Sequence, residues 1–154
     1  MLAENNTLAR VKNHYAFDRY MMKSLHRDEV VVDRETGLMW QQTASSEHML
    51  YSLATEWINN LNKRGFAGFN DWRLPTLEEA MTLMERYPNS AGLYIDPVFN
   101  SKRRSWMWTS DRGAADSAWY VNFNYGYSRL NRIKSSNNHV RAVRLRRQIK
   151  HYIF

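Results

Sequence analysis

The 154-residue chain contains no cysteine. Disulfide bridges, thiolate nucleophiles and cysteine-held zinc are thereby excluded, and several enzyme classes with them. Nor does any run approach the ~20 consecutive apolar residues of a membrane-spanning helix. The opening stretch MLAENNTLARVKNHY is polar and carries Glu4, so it does not read as a secretory signal. That leaves the compartment open, a virion or a cell surface included. Acidic residues stop at Asp116, after which Arg129, Arg132, Lys134, Arg141, Arg144, Arg146, Arg147 and Lys150 supply eight positive charges. The first 116 residues carry 14 basic and 15 acidic groups, so the formal charge of +7 belongs to the C-terminal quarter. A solvated basic face and attraction to an acidic partner account for that asymmetry about equally well.

What is present is enough for one core. Hydrophobic residues make up 44% of the chain, which argues against disorder, and this length buries roughly 70% of the unfolded surface. Residues 7–25 place Leu8, Val11, Tyr15, Met22 and Leu25 in a broken helical pattern. EVVVDRETGLMWQQ reads as strand, turn and strand, with Gly37 free to take the positive φ that closes the turn. Residues 47–63 predict a helix, because Leu50, Leu53, Ala54, Trp57, Ile58 and Leu61 share one face and Gly65 follows as a stop.

DWRLPTLEEA, residues 71–80, encodes a strand, a stop and a helix start. Pro75 forces Leu74 into an extended conformation, and Thr76 with Glu79 forms a capping box. The helix from Leu77 is expected to group Ala80, Met81, Met84 and Tyr87, and to end at Pro88. From residue 104 the period becomes two. SWMWTS and AWYVNFN read as strands, NYGYSRLNRIKSSNN as a hairpin or loop, and HVRAVRLR as a last strand. The fold class is α+β, with residues 1–27 a helical extension and 28–154 the main domain.

The order VVVDRETGLMWQQ, amphipathic helix, GFNDWRLPTLEEAMTLM, WMWTS, AWYVNF, VRAVR resembles the Lcl C-terminal-type family over roughly residues 28–146. The resemblance implies a C-type lectin fold, with two helices flanking a small twisted antiparallel sheet. Trp40, Trp72, Trp106, Trp108 and Trp119 then become mostly core. Arg141 and Arg144 are read as sheet-supporting cations paired with Asp33, Asp71 or Glu79, with direct ligand contact the alternative.

Fold alone does not choose a function. A calcium-dependent sugar site needs several converging oxygens; Asn70–Asp71 is the one adjacent amide–carboxylate pair near a loop, and no Glu-Pro-Asn or Gln-Pro-Asp triplet occurs. Formylglycine-generating relatives of the fold work through cysteines, which are lacking. His14, His26, His48, His139 and His151 hold no fixed spacing to carboxylates, so catalysis, a metal and a cofactor are not expected.

The chain also resembles the variable proteins of diversity-generating retroelements, whose lectin-type fold carries a diversified surface near the C-terminus. In the window 120–138, 11 of 19 residues are Asn, Tyr or Ser, the palette that adenine-directed mutagenesis of Asn codons produces and that antibody loops use for contact. Ordinary hairpin loops share that palette. If Trp119, Val121 and Phe123 face the core, then Tyr120, Asn122 and Asn124 face outward. Tyr125, Tyr127, Ser128, Arg129, Asn131 and Arg132 continue the surface, Ser135, Ser136, Asn137 and Asn138 lead back, and Asp111 and Arg112 border it. The expected activity is binding of a protein or cell-surface macromolecule without chemistry. Two alternatives stand beside it: a polyanion binder, for sulfated glycan or nucleic acid, and an assembly subunit that homo-oligomerises through its N-terminal segment.

Overall fold

A computed structural model describes residues 18–99 and 105–146. The first sheet is antiparallel with strand order β1-β2-β3-β7, where β1 is Tyr20–Leu25, β2 Asp28–Asp33, β3 Leu38–Gln41 and β7 Val143–Leu145. A second antiparallel sheet has the order β4-β5-β6, from Trp106–Gly113, Ser117–Asn122 and Tyr127–Arg132. Helix α1 spans Tyr51–Arg64 and α2 spans Leu77–Met81. Among the described residues the fold is therefore α+β with two α-helices, as expected, but with two small sheets in place of one.

Both faces of the central strands are buried, which is why they read as apolar runs. Val30, Val32, Met39, Trp72, Trp108, Ala118 and Tyr120 lie in one core cluster. Val31, Trp40, Met107, Val121, Phe123 and Val143 lie in the other. Successive residues of one strand thus feed opposite cores.

Residues 20–25 correct the helix expected over 7–25, whose earlier part lies outside the described residues. They pair with β2 from Tyr20↔Asp33 to Leu25↔Asp28 around a two-residue turn. His26 and Arg27 both take positive φ there, the requirement of a type I′ hairpin. Asp33 closes the next turn: its carboxylate accepts from the Glu35 amide at 3.0 Å and from Arg19 Nε and Nη2 at 3.0 and 2.9 Å. Gly37 does take positive φ.

The DWRLPT segment ties α1 to both sheets. The Asn62 side chain exchanges two hydrogen bonds with the Trp72 backbone, at 2.8 and 2.9 Å. Arg73 and Val143 exchange a backbone pair at 3.0 Å, and the Ser110 amide donates to the Pro75 carbonyl at 2.8 Å. The capping box of Thr76 and Glu79 forms, with Arg73 gripping the Glu79 carboxylate at 2.6 and 2.8 Å. Helix α2 stops six residues short of Tyr87, because the Thr82 carbonyl is taken by Arg19 and the chain bends into a turn built on Asn89. Leu83 enters the core, while Met81 and Tyr87 are exposed.

Candidate functional site

The β5–β6 hairpin was the expected contact surface, and its two faces differ from the expectation. Tyr120 packs into one core cluster while Val121 and Phe123 pack into the other, so both faces of the strand are covered, and Tyr120 and Asn122 are 8% and 1% exposed. Alternation separates the two faces of a strand; it does not decide whether the more polar face meets water. Trp119 is half-buried instead of core, and Trp106 is 43% exposed at the start of the edge strand β4. Asn138 is also buried, anchored by backbone hydrogen bonds with Met49 in both directions at 2.9 and 3.1 Å.

The two buried residues hold the exposed ones. Asn122 Oδ1 accepts from the Asn124 and Tyr125 amides at 2.9 and 3.2 Å, an Asx turn that shapes the hairpin tip. Its Nδ2 donates to the Tyr127 hydroxyl at 3.2 Å. Gly126 completes the tip at φ 77°, where an added Cβ would lie 3.3 Å from the Tyr94 ring. Burial, then a hydrogen bond with Tyr127, pushes the Tyr120 hydroxyl up to about 12, so it stays protonated at neutral pH. Its ring meets Tyr127 edge-on at 6.4 Å.

Outside this support lies a compact aromatic–cation group. The Tyr125 and Tyr127 rings stack at 6.3 Å with 5° between their planes, and the Arg129 guanidinium sits 4.1 Å from the centre of the Tyr127 ring. Tyr125 is 68% exposed. Asn124 and Ser128 flank the group, half-buried.

The remaining expected residues lie elsewhere. Arg112 pairs with Ala118 and Arg132 with Ser117, at the end of the sheet opposite Tyr127. Tyr127 and Arg132 are five residue steps apart along β6, or about 17 Å. Asp111 and Arg112 lie within β4, not after it. Asp111 Oδ2 accepts from the Leu77 amide at 3.2 Å, at the start of α2, and Arg112 lies over the Tyr51 ring at 5.3 Å. Asn131, Arg132, Ser135 and Ser136 belong to that distal end, since the Ser136 amide donates to the Arg132 carbonyl at 2.9 Å. Asn137, with Asn138, returns beside Trp106.

Arg144 forms an expected ion pair, with Asp71 at 2.6 and 3.2 Å. Arg141 donates to the Gln41 and Gln42 carbonyls and lies over Phe99. The Asp71 carboxylate is thus engaged by a cation, and no cluster of three or more His, Asp or Glu that could hold a metal occurs among the described residues. No helix among them is long and apolar enough to cross a membrane. The sequence reading missed Trp106, His48 and His139, which meet around a cavity of about 410 Å³. Only the fold brings the two histidines together, ring centres 5.8 Å apart.

These features define an α+β domain with a buried polar support under a displayed aromatic hairpin. The chain belongs to the Lcl C-terminal domain family, whose model matches residues 29–144. A comparison with curated proteins finds no match.

Proposed function

We propose that this domain is a non-catalytic recognition module of C-type lectin type, contacting a protein or cell-surface macromolecule through the tip and near end of its β5–β6 hairpin. The observation that carries the proposal is the Tyr125–Tyr127–Arg129 group, in which Tyr127 packs against the edge of the core and is held by Tyr120 and Asn122 while Tyr125 and Arg129 are exposed. Tyrosine and arginine are the residues that most often dominate binding energy at interfaces, and rings already ordered lose little entropy on binding. The return of β7 to pair with β3, which brings residues distant in sequence into one sheet, supports the lectin-type reading.

The contact set narrows to Asn124, Tyr125, Tyr127, Ser128 and Arg129. Diversification by a retroelement is the origin most consistent with the Asn–Tyr–Ser palette. It is tested in the DNA: a near-copy of the segment encoding residues 105–144, differing chiefly at adenines and lying near a reverse transcriptase gene, is the expected result. A neighbourhood without either sinks that origin. Support for polyanion binding weakens, because Arg141 and Arg144 are buried and Lys134 pairs with Asp116 at 3.1 Å.

A further inference from the structure

β6 is the outer strand of its sheet, and among the described residues no strand lies beyond it. Its six residues pair with β5 in unbroken register. Just past the last pair, Ser117↔Arg132, the Ile133 amide donates to the Asp116 carbonyl at 2.9 Å. Hydrogen-bonded and open pairs alternate along an antiparallel ladder. Tyr127, Arg129 and Asn131 therefore turn their backbone toward β5, while Ser128, Leu130 and Arg132 turn theirs outward. Among the described residues no backbone partner takes the outward amides and carbonyls of Ser128 and Leu130. An edge in this state is a template for another strand.

The arginines decide which strand it admits. Arg129 and Arg132 are exposed, and among the described residues neither pairs with a carboxylate. Nearby Asp116 is held by Lys134 at 3.1 Å, and Asp111 accepts from the Leu77 amide. A second copy of β6 laid alongside would bring four arginines together, the like-charge device by which edge strands avoid pairing with themselves. Residues 1–17, 100–104 and 147–154 together contain one acidic residue, Glu4, against seven lysines and arginines, so they do not supply the countercharge.

We infer that the outer edge of β6 binds an extended peptide segment of another protein carrying two carboxylates three positions apart. Such a segment joins the sheet through backbone hydrogen bonds with Ser128 and Leu130. Side chains alternate along a strand, so Arg129 lies on the face of Tyr127 and Arg132 on the opposite face, with Leu130. Acidic residues three apart on the added strand also fall on opposite faces, one beside each arginine. Each guanidinium can then grip a carboxylate through two N–H groups. This partner belongs to the flank of the hairpin proposed above as the contact surface, and so rests on that reading, but it makes no use of Tyr125.

Random peptides of about ten residues, displayed on phage and selected on the folded full chain, test it. Selected peptides should carry two Asp or Glu residues three positions apart, and a synthetic copy should slow hydrogen exchange of the Ser128 and Leu130 amides. Arg129→Glu combined with Arg132→Glu should weaken that peptide about tenfold or more. Changing the two acids of the peptide to lysine should restore its binding to the doubly substituted chain. Leu130→Pro removes an outward N–H that β5 does not use, and should abolish binding with the fold retained. If that variant fails to fold, the charge exchange carries the test. Selection of no peptide, or of peptides without the paired acids, overturns the inference. So does an acidic peptide that binds without slowing those two amides, or one displaced by heparin that ignores the loss of both arginines. Selected peptides that depend on Tyr125 and not on the arginines overturn it while the hairpin reading stands.

Discussion

Asn122 Nδ2 donates to the Tyr127 hydroxyl at 3.2 Å, joining a side chain buried in the middle strand to a ring on the displayed one. The same amide accepts from two backbone N–H groups at the hairpin tip. Asn122→Ala leaves those donors without their partner and should lower unfolding stability by about 1–3 kcal/mol. Tyr125→Ala removes an exposed ring and should stay within about 0.5 kcal/mol. Urea unfolding of the two variants measures the contrast, and equal losses would mean that the tip is not supported from beneath.

A second expectation concerns Arg144, whose side chain is 7% exposed while that of Asp71 is 49% exposed. The guanidinium also lies 3.6 Å from the centre of the Phe69 ring. Asp71→Asn strands a buried cation, a change that costs about 3–5 kcal/mol in a fully buried pair. With Asp71 half in water, about 1–2 kcal/mol is expected. Arg144→Lys should cost as much or more, because lysine cannot reproduce both the bidentate grip and the stacking on Phe69. Thermal unfolding of each variant and of the pair reads the coupling.

Acid should unfold the domain through two carboxylates. Burial works to raise the Asp33 pKa, but hydrogen bonds from Arg19 and the turn outweigh it, and the net shift is downward. The hydrogen bonds from Arg73 hold Glu79 below its usual range, burial opposing. A depressed carboxyl pKa contributes stability that is present above the unfolded value, about 4, and lost as pH falls through the folded value. Urea midpoints should therefore be flat from neutral pH down to about 5 and then fall steeply below about 4. Asp33→Asn should show a lower plateau and a shallower acid slope.

Thr76→Ala removes the hydroxyl that accepts from the Glu79 amide at 3.1 Å. A loss of about 1 kcal/mol is expected from such a cap, read as a shift in the urea midpoint.

How much of this was legible in the sequence varies with the physics involved. The capping box, the Gly65 stop and the Asp33–Gly37 turn rest on local chemistry, and all three were readable. Strand β1 was hidden because its type I′ turn is made by His26 and Arg27, without the asparagine–glycine signal that usually marks one. His26 further packs against Gly68, where an added Cβ would lie 2.7 Å from the imidazole, a contact no local pattern announces. Tyr120 and Asn122 were misplaced for a different reason: strand alternation gives two faces, while burial of both depends on what packs above and below the sheet, Tyr120 entering one core cluster and Val121 the other. Of the expected surface residues, Tyr120, Asn122 and Asn138 are buried, which leaves the tip and near end of the hairpin displayed.

The central claim is that a rigid inner layer carries a replaceable outer one, and saturation mutagenesis of residues 105–144 with a folding-dependent surface-display readout tests it most directly. The account predicts broad tolerance at Asn124, Tyr125, Ser128 and Arg129 beside sharp intolerance at Tyr120, Asn122 and Phe123, with Tyr127, which packs against the core, between the two. Tolerance at Tyr120 and Asn122, or loss of folding on replacing Tyr125 or Arg129, would contradict it.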